Sequence, residues 1–332
     1  MFQLTYKIAL FKDLRVIIRI PANSEFGKKK IMILNRQDNA WHYSSQKQYI
    51  EWWYLDALFA GNYYLAGSFG MWGSLQKPES LVIRSDFMLT MPDGSNIDFG
   101  KKFQLSDFKA STKKCKVFLG NNSLIDFGDQ YTLHLSNDDS VSLDLTYTPE
   151  CPGFKHTYFF DENEDEYFSW VVPIPCAKVQ GNLQINKENR YLEGIGYHDH
   201  NWASVSLSKE IKDWKWGRFH SDSETMTFAI VEGISQTLFK GMAFSSGGEF
   251  VYIKFGFPSP SLDIEENVSG WALSLSDTNI DVQLEIIKKK ELLHRKGDSS
   301  YQRFLSDTKG KIITDKEYFV SGEMVHEFQL LR

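Results

Sequence analysis

Tyr191-Leu192-Glu193-Gly194-Ile195-Gly196-Tyr197-His198-Asp199-His200-Asn201-Trp202 is the stretch from which the rest of the chain is read. Tyr, Leu and the alternation that follows predict an extended strand. In a strand, successive side chains point to opposite faces. Tyr197, Asp199 and Asn201 then share one face, a carboxyl with hydrogen-bonding neighbours. His198, His200 and Trp202 share the other, two imidazoles and an indole. No other part of the sequence is so rich in groups that move protons.

Upstream, Gly181–Ile185 pairs with this strand as a hairpin over Asn186-Lys187-Glu188-Asn189. Before it, Trp170-Val171-Val172-Pro173-Ile174-Pro175 carries two prolines, which cannot donate to a ladder, so an edge or lining segment is expected rather than a central strand. Downstream, a polar interval over 203–212 is followed by new strands. Trp214–His220 and Thr225–Val231 flank one turn, and Leu238–Phe244 and Glu249–Phe255 flank Ser245-Ser246-Gly247-Gly248. Trp271–Leu275, Ile280–Ile287 and Glu317–Leu331 complete the set. Towards the N-terminus, Tyr49–Phe59 and Tyr63–Trp72 flank Ala60-Gly61-Asn62. Leu81–Met91 runs into Pro92-Asp93-Gly94-Ser95, where Pro fixes φ and Gly accepts a positive φ. Asn96–Phe103 returns, and Tyr131–Leu135 and Val141–Tyr147 make a hairpin over Asn137-Asp138-Asp139-Ser140. Asp161–Glu166 reads as a solvated acidic loop. Short strands separated by turn signals predict an all-β, antiparallel sandwich or barrel. There is no long amphipathic helix and no short-period repeat. The expected division is 1–31 as an unassigned extension, 32–203 as one β domain and 204–332 as a second.

The 332 residues suffice for two domains that enclose a ligand. Aromatics reach 15%, which favours strands and apolar pockets. A net charge of −6, with only Lys28-Lys29-Lys30 and Lys288-Lys289-Lys290 as basic runs, argues against nucleic acid as a partner. Cys115, Cys151 and Cys176 are scattered and odd in number, so they read as reduced structural thiols. No apolar run is long enough for a transmembrane helix. Met1–Ile20 is broken by Lys7, Lys12, Asp13, Arg15 and Arg19, unlike a signal peptide, so a cytoplasmic location is expected. No phosphate-binding glycine loop, HExxH or GxSxG occurs, and no cofactor is expected.

Four motifs in order carry a family likeness. Glu51-Trp52-Trp53-Tyr54-Leu55-Asp56-Ala57, Trp170–Pro175 followed by Gly181, Gly194–Trp202, and Trp214-Lys215-Trp216-Gly217-Arg218 resemble the hydroxyneurosporene synthase (carotenoid 1,2-hydratase) and AttH-like superfamily. Gly322–Phe328 is similar to its closing strand. The likeness covers about 49–332. It implies two lipocalin-like β-barrels with a pocket at or near their interface. It also implies a range of roles, from carotenoid hydration and the cyclisations of fungal relatives to members without known activity. Ala203 stands where the family usually has Gly after Asn-Trp, Phe168 where the hydratases tend to have His, and His198 and His200 are unlike the hydratases. These departures point away from carotenoid hydration itself.

Asp199 is the first candidate for chemistry, because burial raises a carboxyl pKa and lets it serve as an acid. Tyr197 and His198 stand beside it as catalytic candidates. Indoles of Trp170, Trp202, Trp214 and Trp216 could stabilise a cation through their faces. The competing role for Asp199 and Asn201 is to satisfy buried backbone where two barrels meet. His198 and His200 share a face, but the sequence offers no third ligand beside them, so hydrogen bonding is expected in place of a metal. Of Glu51/Trp53 and Trp52/Tyr54, one pair faces the core and the other the pocket. A buried Glu51 needs a counter-charge, and Arg218 is the expected one. Glu51, Trp53, Tyr54, Trp170, His200, Asn201, Trp202, Trp214, Trp216 and Arg218 are the candidate binding residues. The expected ligand is a hydrophobic small molecule or lipid, turned over by a cofactor-free enzyme or held by a carrier.

Overall fold

The computed structural model describes residues 34–331 apart from 43–48, 75, 138–139, 257–258 and 297–299. The extension read over 1–31 and the Asp138-Asp139 turn fall outside the described residues. Among the described residues, the first sheet is built from β1 (Tyr49–Phe59), β2 (Tyr63–Ser74), β3 (Lys77–Ser85), β4 (Met88–Thr90), β5 (Asn96–Asp98), β6 (Lys101–Phe103), β7 (Phe108–Ala110), β8 (Lys116–Leu119), β9 (Asn122–Asp126), β10 (Tyr131–Asn137), β11 (Val141–Pro149), β12 (Phe154–Phe159), β13 (Tyr167–Ile185) and β14 (Glu188–Ala203). A one-turn helix, α1 (Leu207–Glu210), leads to the second sheet. That sheet comprises β15 (Ile211–His220), β16 (Glu224–Gly233), β17 (Thr237–Ser246), β18 (Glu249–Phe255), β19 (Ser261–Glu266), β20 (Gly270–Asp277), β21 (Ile280–Lys296), β22 (Ser300–Ile313) and β23 (Glu317–Leu330). Every pairing is antiparallel, and both sheets curl.

The strand quoted at the outset is the middle of the first sheet, with β1 on one side and β13 on the other. Alternation along β1 sends Trp53, Leu55, Ala57 and Phe59 into the first core, and Trp52, Tyr54 and Leu58 towards the second sheet. A second core fills the other sheet around Phe228, Phe244, Leu273, Leu284 and Met324. A third lies between the sheets, where Trp170 and Tyr197 meet Trp216, Phe239 and Val325. Each large apolar side chain buried in these clusters contributes about 1.5–3 kcal/mol. Gly194 sits where a Cβ would lie 1.9 Å from the Leu58 carbonyl oxygen, so β1 and β14 close only over a glycine. Asn186 and Lys187 take positive φ angles of 49° and 75°, making a two-residue hairpin between β13 and β14, shorter than the four-residue turn expected.

The two prolines of Trp170–Pro175 lie inside β13, which is paired on both sides over most of its length, so the strand as a whole is not the edge expected, although Trp170 of this segment does line a cavity. The register against β14 slips between Val171 and Ile174 and again between Ile174 and Ala177. On the other side, pairing with β12 ends at Val172 and pairing with β11 begins at Ala177. Both prolines therefore fall at bulges where no ladder donor is needed. Leu81–Met91 is likewise two strands. The chain breaks at Asp86-Phe87 opposite Gly67, whose absent side chain admits the Phe87 backbone: a Cβ there would lie 2.3 Å from its Cα. Asn96–Phe103 splits into β5 and β6.

An ion pair crosses between the sheets. Arg218 Nη2 of β15 lies 2.5 Å from Asp56 Oδ1 of β1, and Arg218 Nε donates to Asp56 Oδ2 at 3.1 Å. Asp56, and not the expected Glu51, is the partner of Arg218, because Asp56 is on the face of β1 that looks at the second sheet. Both side chains are almost wholly buried. Removing one partner leaves an uncompensated charge. Arg218→Met should therefore lower unfolding stability by about 3–5 kcal/mol, and Asp56→Leu combined with Arg218→Met should regain most of it. Guanidinium titrations of the three proteins check this.

Candidate functional site

The face of β14 carrying Tyr197, Asp199 and Asn201 looks towards the second sheet, across a cavity of about 490 Å³. β1 supplies Trp52 and Tyr54 beside it, β13 supplies Phe168 and Trp170, and β15 supplies Trp214 and Trp216 from the opposite wall. Asp199 is 6% exposed. Its Oδ2 accepts from Tyr197 Oη at 2.9 Å and from Trp170 Nε1 at 3.2 Å, and its Oδ1 accepts from Asn201 Nδ2 at 2.7 Å. Burial is the largest influence and pushes the carboxyl up to about 7, against these three hydrogen bonds, which favour the anion. The group thus stands ready to give or take a proton near neutrality.

The second sheet brings a polar cluster of its own. Arg303 of β22 pairs with Glu327 of β23, Nη2 to Oε2 at 2.7 Å. Trp214 Nε1 donates to Glu327 Oε1 at 3.1 Å, and the Tyr301 hydroxyl donates to Oε2. The Arg303 guanidinium lies 4.8 Å from the Tyr54 ring centre and Nη1 donates to Tyr64 Oη at 3.4 Å. Tyr54 Oη in turn donates to Asp56 at 2.9 Å. An aromatic, mostly apolar chamber results, with one near-neutral acid on one wall and one neutralised ion pair on the other.

The remaining candidates lie elsewhere. Tyr54, Trp170, Asn201, Trp214 and Trp216 line the cavity. Tyr197 lies behind it, fully buried against Trp216, and touches Asp199, so it positions the acid. Arg218 sits deeper, on Asp56. Glu51, Trp53, His198, His200 and Trp202 are corrected: alternation turns them to the opposite face, inside the first sheet. His198 Nδ1 meets the Tyr54 carbonyl at 2.8 Å and Nε2 meets Asn39 at 3.0 Å. Burial pushes His198 down to about 4, so it is a neutral support. His200 stacks on Trp53, with ring centres 4.5 Å apart, and its Nε2 meets Glu51 Oε1 at 2.8 Å. Glu51 also accepts from the His42 backbone N–H at 3.0 Å and from the Tyr49 hydroxyl. Burial drives Glu51 well above the carboxylate range and His200 well below the usual imidazole value, both towards the uncharged form. The fold does supply the third ligand missing from the sequence neighbourhood: ligand atoms of His42, Glu51 and His200 lie within 4.8 Å of one another, a set that could hold a divalent cation.

Tyr64, Phe239, Tyr301, Arg303 and Glu327 line the cavity without having been singled out. Their signal is present in part: Tyr301, Arg303 and Leu305 alternate around one charge, but the polar residues around them hide the strand β22. Trp52 shares the face of Tyr54 and belongs to the pair that faces the cavity.

The carotenoid hydratase CrtC family matches over residues 155–303. Hydroxyneurosporene dehydrogenase of Chlorobaculum tepidum is 25% identical over 228 residues, 58% of this chain and 59% of that protein, so the chain spans under two thirds of this relative's length. The quinolone epoxide rearrangement protein asqO of Emericella nidulans is 40% identical over 43 residues, 13% of this chain and 12% of that one. Among solved structures, CghA with Sch210972 covers 91% of this chain and 97% of its own at a TM-score of 0.65 and 13% identity. A putative AttH from Nitrosomonas europaea covers 92% and 98% at 0.58 and 13% identity. Kievitone hydratase from Nectria haematococca covers 92% and 95% at 0.56 and 14% identity. These three share the fold. Among the described residues no helix is long and apolar enough to cross a membrane, which says nothing about strands.

The opposite-face placement of Glu51 has a measurable consequence. Glu51→Gln should change stability by less than about 1 kcal/mol, whereas Glu51→Ala, which strands the His200 nitrogen, should cost about 1–3 kcal/mol. Neither should alter the affinity of a ligand bound in the cavity, as read by denaturant titration and by quenching of tryptophan fluorescence.

Proposed function

We propose that this chain, which matches the carotenoid hydratase CrtC family over residues 155–303 and shares the fold of the AttH-like protein, is an enzyme that acts without a cofactor on a hydrophobic isoprenoid, polyene or polyketide. The observation that carries the reading is the Asp199 carboxyl, poised near neutrality and opening onto a cavity walled by indoles. In this reading residues 32–203 and 204–332 act as two lipocalin-like units, each giving one wall. A cavity of this size falls within the range that encloses a small organic ligand. Passive apolar binding needs no buried acid with three oriented partners.

The chemistry follows from the acid. Asp199 gives its proton to one carbon of a double bond, and positive charge develops on the other carbon. The faces of Trp52, Trp214 and Trp216 stabilise that charge by about 2 kcal/mol or more when water is excluded. Three fates share this first step. Water adds to the cation and returns a proton to the Asp199 carboxylate, giving hydration. A neighbouring carbon loses its proton to the carboxylate, giving isomerisation. A second double bond of the same chain attacks, giving cyclisation, and a later proton loss restores the acid. Tyr197 and Asn201 hold the carboxyl in place throughout. Trp170 does the same from β13, and the ligand's folded conformation is imposed by the chamber.

Asp199→Asn should lower kcat/KM by about 10²–10⁴ on a polyene that the wild-type protein converts, with ligand affinity and melting temperature retained. Full turnover in that variant removes Asp199 as the acid, and tight binding of a panel of isoprenoids and polyketides with no conversion identifies a carrier. Because the protonated form is the active one, the rate in wild type should be level below about pH 7 and fall above it, about tenfold per pH unit. A pH–rate profile that rises instead assigns Asp199 to base chemistry.

A further inference from the structure

One side of the cavity is unlike the rest. Arg84, Asp86, Met88 and Arg295 line it and also line an adjoining recess of about 320 Å³, which adds Asp98, Lys101 and Lys102. Four basic and two acidic residues line the recess, in a chain whose net charge is −6. The cations come from both sheets: Arg84 from β3, Lys101 and Lys102 from β6, Arg295 from β21. Arg84 and Lys102 are directly opposite each other in the ladder between β3 and β6. Like charges placed so repel, and the pairing weakens the sheet. Arg84 is held by Asp86 at 2.7 Å and lies 4.5 Å from the ring centre of Trp72, so it is fixed at the boundary between recess and cavity. Arg295 and Lys102 are exposed.

We propose that the recess receives the anionic head, a carboxylate or a phosphate, of a substrate whose apolar chain fills the cavity. The inference rests on the reading of the cavity as the substrate site and names the class of substrate. Ladder partners give the span: Arg84 is opposite Gly70, Gly70 opposite Trp52, and Trp52 opposite Asn201, beside Asp199. Three strand spacings are about 14 Å. The reacting double bond therefore lies several strand spacings from the head, out along the chain, and the head does not take part in the chemistry. The basic recess also draws the anion in from solution and fixes which end enters first.

Farnesol, farnesoic acid and farnesyl phosphate carry the same isoprenoid chain and differ in the head alone. Their dissociation constants are measured by quenching of tryptophan fluorescence. At low salt at least one of the two anions should bind ten or more times tighter than farnesol, and the advantage should shrink towards unity in about 0.5 M salt. A preference for the acid alone or the phosphate alone supports the proposal and names the head. Arg295→Glu and Lys102→Glu should each reduce that preference at least fivefold, while the same charge change at the exposed hairpin residue Lys187 leaves it intact. Farnesol binding as tightly as both anions overturns the anionic head and keeps the cavity reading. Binding of none of the three removes the cavity reading and this proposal with it.

Discussion

From Gly196 to Ala203, β14 is buried on both faces, and much of the structure answers to that constraint. A central strand in a one-layer sheet has one dry side and can leave its polar residues on the wet one. Here neither side is wet. His198 and His200 face the first core, Tyr197, Asp199 and Asn201 face the gap between sheets, and all are at most 6% exposed. Each polar group must find a partner inside the protein. On one face Asn39, the Tyr54 carbonyl and Glu51 answer the imidazoles. On the other Trp170, Tyr197 and Asn201 answer the carboxyl. Two buried hydrogen-bonded networks lie back to back, separated by the thickness of one strand.

The two buried acids of these networks are displaced in the same direction for the same reason, but their surroundings give them different work. Glu51 is enclosed among His42, His200 and Tyr49, inside the first sheet, and does not open onto the cavity. Asp199 opens onto a chamber and is held by donors that offset part of the burial. Chemistry belongs to the second arrangement. The Asp56–Arg218 pair solves the same problem of burial in a third way, by neutralisation across the sheets.

The alternation of Gly194–Trp202 was legible from residues alone, since a period of two fixes which side chains share a face. The strands flanking clear turns, such as Tyr49–Phe59 around Gly61-Asn62, were legible for the same reason. What one sequence cannot show is which face meets which wall. Glu51 and Trp53 looked as good a lining as Trp52 and Tyr54, and only the position of the second sheet distinguishes them. Arg218 was a sound expectation as a counter-charge and wrong in its partner, because Asp56 and Glu51 differ by an odd number of positions. Pro173 and Pro175 misled, since the bulges that free them of ladder duty are made by neighbouring strands. Tyr301, Arg303 and Glu327 lie far from Asp199 in the chain and entered the site by tertiary contact alone.

The pairing of β1 with β14 also bears on how the chain comes together in time. Glu51 meets His200 across 149 positions, whereas β13 and β14 meet through a two-residue turn. Local hairpins form in microseconds, but a ladder between such distant segments must first close a long loop, and chains rich in such contacts fold slowly. During synthesis from the N-terminus, the Tyr49–Phe59 segment emerges well before its partner is made. Its hairpin with β2 leaves the other edge, with Trp52, Trp53, Tyr54 and Leu55, unmated until residue 200 has been added. An open edge of this composition invites pairing with a second nascent chain. The two-sided burial of this segment in the finished fold thus leaves an apolar edge open while the chain is being made, before any site exists.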